Sequence, residues 1–263
     1  MELNILFIGD IVGRPGRHLI YQLLPDLYRK YTLDAVIANV ENAAGGLGVT
    51  PKIAKELLNS GIHLLTSGNH VWRKREIFPY LEKNDRLLRP ENYPPGVPGK
   101  GVAIVSLNSG IKMGVLNLEG RTFMKPLDCP FRTALTAIEI IRKETPVIIV
   151  DFHAEATSEK VAMGWFLDGK VSAVLGTHTH VPTADETILP QGTAYITDVG
   201  MTGALISVIG MRVDVSLKGL LTQLPQSFKP ASGKACLQGV LLTVDVSSGK
   251  AKRIKRIRDG NGY

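Results

Sequence analysis

The stretch GTHTHVPT, residues 176–183, closes an apolar run, VSAVLG, and sets His178 and His180 two residues apart. Two imidazoles at one strand end are nitrogen donors for a divalent cation. The same setting recurs along the chain: LNILFIG runs into Asp10, AVIANV into Glu41 and Asn42, HLLTSG into Asn69 and His70, and PVIIVDF into His153. Four of the six histidines thus close an apolar run, whereas His18 lies in a helical pattern and His63 at a strand start. Taken singly, each residue has a plainer use: Asp10 could cap a helix, Asn69 could hold a turn, and one histidine could satisfy a polar neighbour. Taken together they form a mixed oxygen and nitrogen donor set, which suits iron, manganese or zinc. No cysteine stands near them in sequence, which argues against a structural zinc site. The chemistry to expect is hydrolysis at two cations about 3.5–4 Å apart, which needs a shared carboxylate, terminal ligands and open positions for water and substrate.

Such donors converge only if their strands share a sheet edge, and open α/β sheets gather ligands at the carboxyl ends of their strands. The order of elements fits. LNILFIG, a helix near RHLIYQLLPDLYRKY, AVIANV and a helix from Thr50 alternate as βαβ units do. Thr50-Pro51 before KIAKELLNSG reads as a cap, a proline in the first turn, an amphipathic helix and a glycine stop. After HLLTSG, WRKREIFPYLEKN is expected as a short helix and RPENYPPGVPGKG as a loop. GVAIVSL and MGVLNL, separated by NSGIK, read as a hairpin; the helices FRTALTAIEIIRK and SEKVAMGWFL then flank PVIIVDF and precede SAVLG, and TAYITDV and LQGVLLTVDV are later strands. Without an internal repeat or a convincing linker, the expectation is one α/β domain over residues 1–263 with an antiparallel component.

With 263 residues and 44% hydrophobic content the chain can bury a sizeable core. No run approaches the roughly 18 apolar residues of a membrane span, and MELNILFIGD does not read as a secretion signal, so a cytoplasmic enzyme is expected, with no membrane partner. Cys129 and Cys236 lack metal-site or redox spacing and are expected as reduced thiols. The formal charge of +7 favours anionic partners such as phosphates or RNA, although the basic segment KAKRIKRIRDGNGY reads first as a solvated terminal strand.

In order and spacing, Gly9-Asp10, Glu41-Asn42, Gly68-Asn69-His70, His153 and Gly176-Thr177-His178-Thr179-His180 resemble the blocks of the calcineurin-like binuclear metallophosphoesterases. Val12 stands where most members carry the histidine of the first block, and Glu41 replaces their bridging aspartate. NVENAAGG, TSGNHVW, NLEGRTFM, VDFHAEATSEK and TDVGMTG are similar to the YmdB-like subgroup, which shares that substitution, whereas Ala204-Leu205-Ile206 departs from a Pro-Tyr-Asp stretch common there. The resemblance implies a sandwich of mixed β-sheets flanked by helices. It implies a phosphodiesterase acting on cyclic nucleotides such as 2′,3′-cyclic AMP, with two divalent ions, iron or manganese. One ion would be held by Asp10, Asn42 and His180, the other by Asn69, His153 and His178, and Glu41 would bridge them. Attack by a metal-bridging hydroxide, with His70 as general acid, would open the ester. On an extended segment His178 and His180 would point the same way and reach neighbouring ions. Arg121 and Thr122 are candidates for substrate contact, Asp151 for orienting His153, and Arg14 and Arg17 for attracting anions, each with a plainer surface or salt-bridge reading. The alternatives are an RNA- or protein-binding regulatory module, for which an RNA-processing partner is conceivable, and a phosphomonoesterase or 5′-nucleotidase. A homo-oligomer is open.

Overall fold

The computed structural model describes residues 1–260; residues 261–263, the end of the segment read as a terminal strand, lie outside the described residues. In the first sheet, the apolar runs β1 (Glu2–Ile8), β3 (Ala35–Asn39) and β4 (Leu64–Thr66) pair in parallel. β12 (Ala235–Asp245) lies antiparallel on the other side of β1 and carries β13 (Ala251–Gly260) and β11 (Met201–Ala204), beside which β2 (Asp10–Ile11) adds the last pairing. The second sheet runs β5 (Val102–Ser106), β6 (Lys112–Glu119), β7 (Ile148–His153), β8 (Ala173–Thr177), β10 (Ala194–Ile196) and β9 (Thr187–Ile188). Its four central strands are parallel; the expected hairpin supplies one antiparallel edge through β5 and β6, and β9 supplies the other against β10.

Strands buried on both faces read as continuous apolar runs, and these do. Phe7, Ile37 and Leu64 of the first sheet share one core with Val115, Ile149 and Leu175 of the second, so the sheets pack face to face. The outer face of the first sheet is covered by α1 (Gly13–Tyr31), α2 (Pro51–Asn59) and α3 (Phe78–Lys83), through Leu24 and Leu27 together with Leu57 and Leu81. That of the second is covered by α4 (Pro130–Ile141) and α5 (Thr157–Leu167), through Ile138, Ile141, Met163 and Leu167. The result is the expected sandwich of two mixed sheets flanked by helices.

Local chemistry explains both agreements and corrections. Thr50 caps α2, its hydroxyl accepting the Ile53 N–H at 3.2 Å, a contact worth about 1 kcal/mol. The helix expected over residues 72–84 is instead two 3₁₀ turns, Val71–Arg73 and Arg75–Ile77, followed by α3. Lys74 is extended between the turns, and Pro79 fits the first turn of a new helix rather than the interior of a long one. Asp10 does not cap α1, whose N-cap is Val12. A further helix, α6 (Val213–Thr222), has no counterpart in the sequence reading, because VDVSL alternates as a strand does and Gly219 interrupts the helical pattern. Among the described residues no helix is long and apolar enough to cross a membrane.

Candidate metal centre

The strand ends of both sheets meet at one edge of the sandwich. Asp10, Glu41, Asn42, Asn69 and His70 follow β1, β3 and β4, while His153 ends β7 and His178 and His180 follow β8. Two groups of donor atoms form there, Glu41 with His153 and His178, and Asp10 with Glu41 and His180, with Glu41 common to both. Nε2 of His153 lies 2.9 Å from Glu41 Oε2, 3.0 Å from Asn69 Oδ1 and 3.0 Å from His178 Nδ1.

Which ring nitrogens carry protons follows from their outer partners. His180 Nδ1 is 2.8 Å from the Ile209 carbonyl oxygen, which can only accept, so Nδ1 holds the proton and Nε2 keeps a lone pair. His178 Nε2 is 2.9 Å from the Glu155 carboxylate, which leaves the lone pair on Nδ1. The Thr177 hydroxyl donates to Asp151 Oδ1 at 2.7 Å and so must accept from His153 Nδ1, 2.9 Å away. Neutral His153 therefore also turns a lone pair inward. Three imidazole lone pairs and two buried carboxylates face one another, and Asp10 Oδ1, fully buried, has no hydrogen-bond partner among the described residues. Such a set repels itself unless positive charge sits within it, and its imidazole and carboxylate donors fit divalent cations.

The titration behaviour follows from the same crowding. Burial pushes the Asp10 carboxyl up against the opposing pull of His180 and His153. Burial alone would raise Glu41 too, but the charge and hydrogen bond of His153, then His70, hold it well below the usual value. For His153 burial opposes protonation, yet Glu41, Asp10 and Asp151 overcome it and raise the ring to about 9, so without a cation a proton supplies the missing charge. Burial and the neighbouring His153 charge lower His178 to about 3. Burial raises Asp151 to about 6, leaving it ionised at neutral pH as the Thr177 contact requires.

The reach of His178 and His180 has a different origin from the extended segment expected. β8 ends at Thr177, and both histidines have left-handed backbones, with φ of 100° and 66°. Each such residue costs about 1–3 kcal/mol. The Thr179 N–H donates to Asp198 Oδ2 at 3.1 Å and the His178 N–H to Asp10 Oδ2 at 3.2 Å, and charge-assisted bonds contribute about 1.5–3 kcal/mol each, enough to offset the strain. Asp198 is held in turn by Lys160 Nζ at 2.7 Å, a pair in which both side chains are 1% exposed. Gly68 passes so close that a β-carbon there would collide with the His153 ring and the Glu41 carboxylate.

The model of the YmdB-like protein family matches residues 6–257. The chain belongs to the YmdB-like family. It is 51% identical over 255 residues to the 2′,3′-cyclic-nucleotide 2′-phosphodiesterase of Bacillus subtilis strain 168, covering 97% of this chain and 96% of that relative. It is 37% identical over 266 residues to a putative phosphatase/phosphodiesterase of Mycoplasma genitalium, covering 98% of this chain and 93% of the relative. A crystal structure of a hypothetical protein from Thermus thermophilus superposes with a TM-score of 0.91 at 43% identity, covering 98% of this chain and 99% of that one. A Mycoplasma pneumoniae structure described as a novel phosphatase gives 0.92 at 35%, covering 99% and 94%. The metallophosphoesterase fold implied by the sequence blocks is the fold of this YmdB-like chain.

Within that frame the remaining candidates separate. Asn42 turns its amide nitrogen to Glu41 Oε1 (2.8 Å) and His180 Nε2 (3.0 Å) and its oxygen to His70 Nδ1 (2.9 Å), so holding a cation requires the amide turned end for end. His70 lines the cavity over the cluster, with Nδ1 3.2 Å from Glu41 Oε1. Arg121 and Thr122 do not line that cavity; their backbone N–H groups donate to Glu159, and their side chains are exposed. Asp151 reaches His153 through Thr177 rather than directly. Arg17 donates to the Ala43 carbonyl, while Arg14 is exposed beside a separate cavity. In the divergent loop, the Leu205 N–H pairs with the Lys234 carbonyl and Ile206 is exposed. The sequence reading missed Glu155, Thr177, Lys160 and Asp198. Glu155 and Thr177 adjoin candidate ligands in VDFHAEATSEK and GTHTH, which is the signal that could have found them.

Proposed function

We propose that this protein is a metal-dependent phosphodiesterase that opens 2′,3′-cyclic nucleotides, with 2′,3′-cyclic AMP as a substrate. The observation that carries the reading is the convergence of three imidazole lone pairs on Glu41 and the unpartnered Asp10 oxygen. In this reading Asp10, Asn42 and His180 would hold one dication and Asn69, His153 and His178 the other, with Glu41 common to both groups; iron and manganese suit the donors. Bound there, divalent ions would supply neutralisation of phosphate charge and activation of water near neutral pH.

The chain's own residues do the rest. Glu155, Thr177 and the Ile209 carbonyl fix the three ring orientations before substrate arrives. With the Asn42 amide turned end for end, as ligation requires, its NH2 group would donate to His70 Nδ1 and leave Nε2 carrying the proton for the departing ribose oxygen. The Bacillus relative is named for the 2′ ester, and by analogy water adds to phosphorus, the bond to O2′ breaks, O2′ takes the proton, and the 3′-monophosphate is released. Residues 1–260 act as one catalytic unit in this reading. The free thiols Cys129 and Cys236 suit a reducing, cytoplasmic setting.

The test is to strip the protein of metal, reload it with Mn²⁺ or Fe²⁺ under reducing conditions, supply 2′,3′-cyclic AMP and separate the products by chromatography. Metal-dependent formation of 3′-AMP is expected. In His70→Ala both ions should remain while turnover falls about 10²–10⁴-fold; equal loss of metal would make His70 a ligand. Release of inorganic phosphate from nucleoside monophosphates, with no opening of the cyclic diester, would replace the reading with a phosphomonoesterase.

A further inference from the structure

The cavity above the cluster has a second half that the hydrolytic chemistry does not use. It encloses about 800 Å³, within the range of small-molecule sites, and runs from the cluster to a wall made by α6 and the segment after it. Leu220, Leu224 and Phe228 line this wall together with Met211, Gln223 and Gln226. These residues are not core. Leu220 is 66% exposed, Leu224 62% and Phe228 51%, and α6 buries only Ser216.

The two ends differ sharply in charge. The cavity's acidic side chains, Glu41 and Glu155, both stand at the cluster end, and among the described residues no lysine or arginine lines the cavity. A wall without cations does not attract a further phosphate or a polynucleotide backbone. An aromatic ring and two leucines instead match a flat, uncharged heterocycle, which gains from stacking and from removal of apolar surface from water, while the Gln223 and Gln226 amides donate to the Leu220 and Leu224 carbonyls of the same wall. Its position is also fixed relative to the chemistry, because the Ile209 carbonyl, in the loop leading to α6, is the atom that accepts from His180.

Resting on the phosphodiesterase reading, we infer that the wall of α6 and residues 224–228 is the nucleobase subsite, with Phe228 as the stacking residue and Leu220 and Leu224 as its flanks. The cyclic phosphate then lies at the cluster and the base spans toward α6, so this wall selects nucleosides over other cyclic diesters. A second copy of the chain is the competing occupant, since Leu217 and Leu221 on α6 are also exposed, at 49% and 82%.

The experiment compares metal-loaded wild type with Phe228→Ala and Phe228→Trp. It uses 2′,3′-cyclic AMP and methyl riboside 2,3-cyclic phosphate, which keeps the diester and lacks the base. The ratio of kcat/KM for the first over the second should fall about tenfold in Phe228→Ala, the scale of one lost base–aromatic stack, and return toward wild type in Phe228→Trp. Calorimetric binding of adenosine, which has no phosphate, should weaken in parallel. An unchanged ratio, whether both substrates lose equally or neither does, overturns the subsite. So does a wild-type dimer in sedimentation that Leu221→Glu dissociates while Phe228→Ala leaves the ratio alone, which would assign the wall to a second copy. If wild type opens neither diester yet binds adenosine in a Phe228-dependent way, the reaction assignment fails and the subsite stands. Absence of adenosine binding by wild type removes the subsite whatever the reaction.

Discussion

Single residues in this site act mainly by what they exclude. Gly68 has no role in donor chemistry, yet any β-carbon there would occupy the space of the His153 ring and the Glu41 carboxylate. Gly68→Ala should therefore keep the circular dichroism of wild type and lose most bound metal, as read by elemental analysis of the purified protein. Far from the cluster, His63 tests the electrostatics independently. Its Nδ1 accepts the Val36 N–H at 3.1 Å, and burial, then Arg86, lower its pKa below the ordinary 6.5. The unfolded chain thus binds more protons between the folded value and about 6.5, so this contribution to stability is complete above that pH and declines as pH falls through the interval. Denaturant titrations from pH 7.5 to 5 should show a shallower decline in His63→Asn, whose side-chain oxygen keeps the acceptor without the titration. At this scale the donor types were legible, because carboxylate and imidazole at strand ends have few structural uses in combination. Their protonation was not, because it depends on the Ile209 carbonyl and on Glu155 and Thr177, groups whose pairing only the folded chain defines.

Elements position the donors, and the turn after β8 shows how. Two left-handed histidines persist there because Asp198 accepts the Thr179 N–H and Lys160, from α5, neutralises Asp198. Lys160→Met leaves a buried carboxylate without its counter-charge and should destabilise the protein by about 3–5 kcal/mol. Lys160→Met combined with Asp198→Asn, which keeps an accepting oxygen without the charge, should recover much of that loss in denaturant titrations. If the turn depends on the acceptor, metal affinity should follow the same order. The strands and most helices were legible from apolar runs and from caps such as Thr50-Pro51. The short β2 and β11 were not, since two to four residues carry too little pattern, and α6 was hidden because its apolar residues face the cavity or solvent instead of a core.

At the scale of the molecule, each donor group draws from both sheets: Asp10 and Glu41 come from one, and His153, His178 and His180 from the other. Ligand binding to the folded state alone raises stability by about 2.7 kcal/mol at a hundredfold excess over Kd. Thermal unfolding should accordingly move to higher temperature with added Mn²⁺, and this dependence should vanish in Glu41→Ala, which removes the residue common to both groups. The alternation of strands and helices indicated an α/β domain and the family resemblance a sandwich, but the pairing of β1 with β12, more than two hundred residues away, is fixed by packing rather than by any local signal. Donors split between the sheets would also make bound cations a clasp. Each group is complete only once the two sheets have docked, so full uptake of metal would come late in folding and would mark, chain by chain, which molecules had closed correctly.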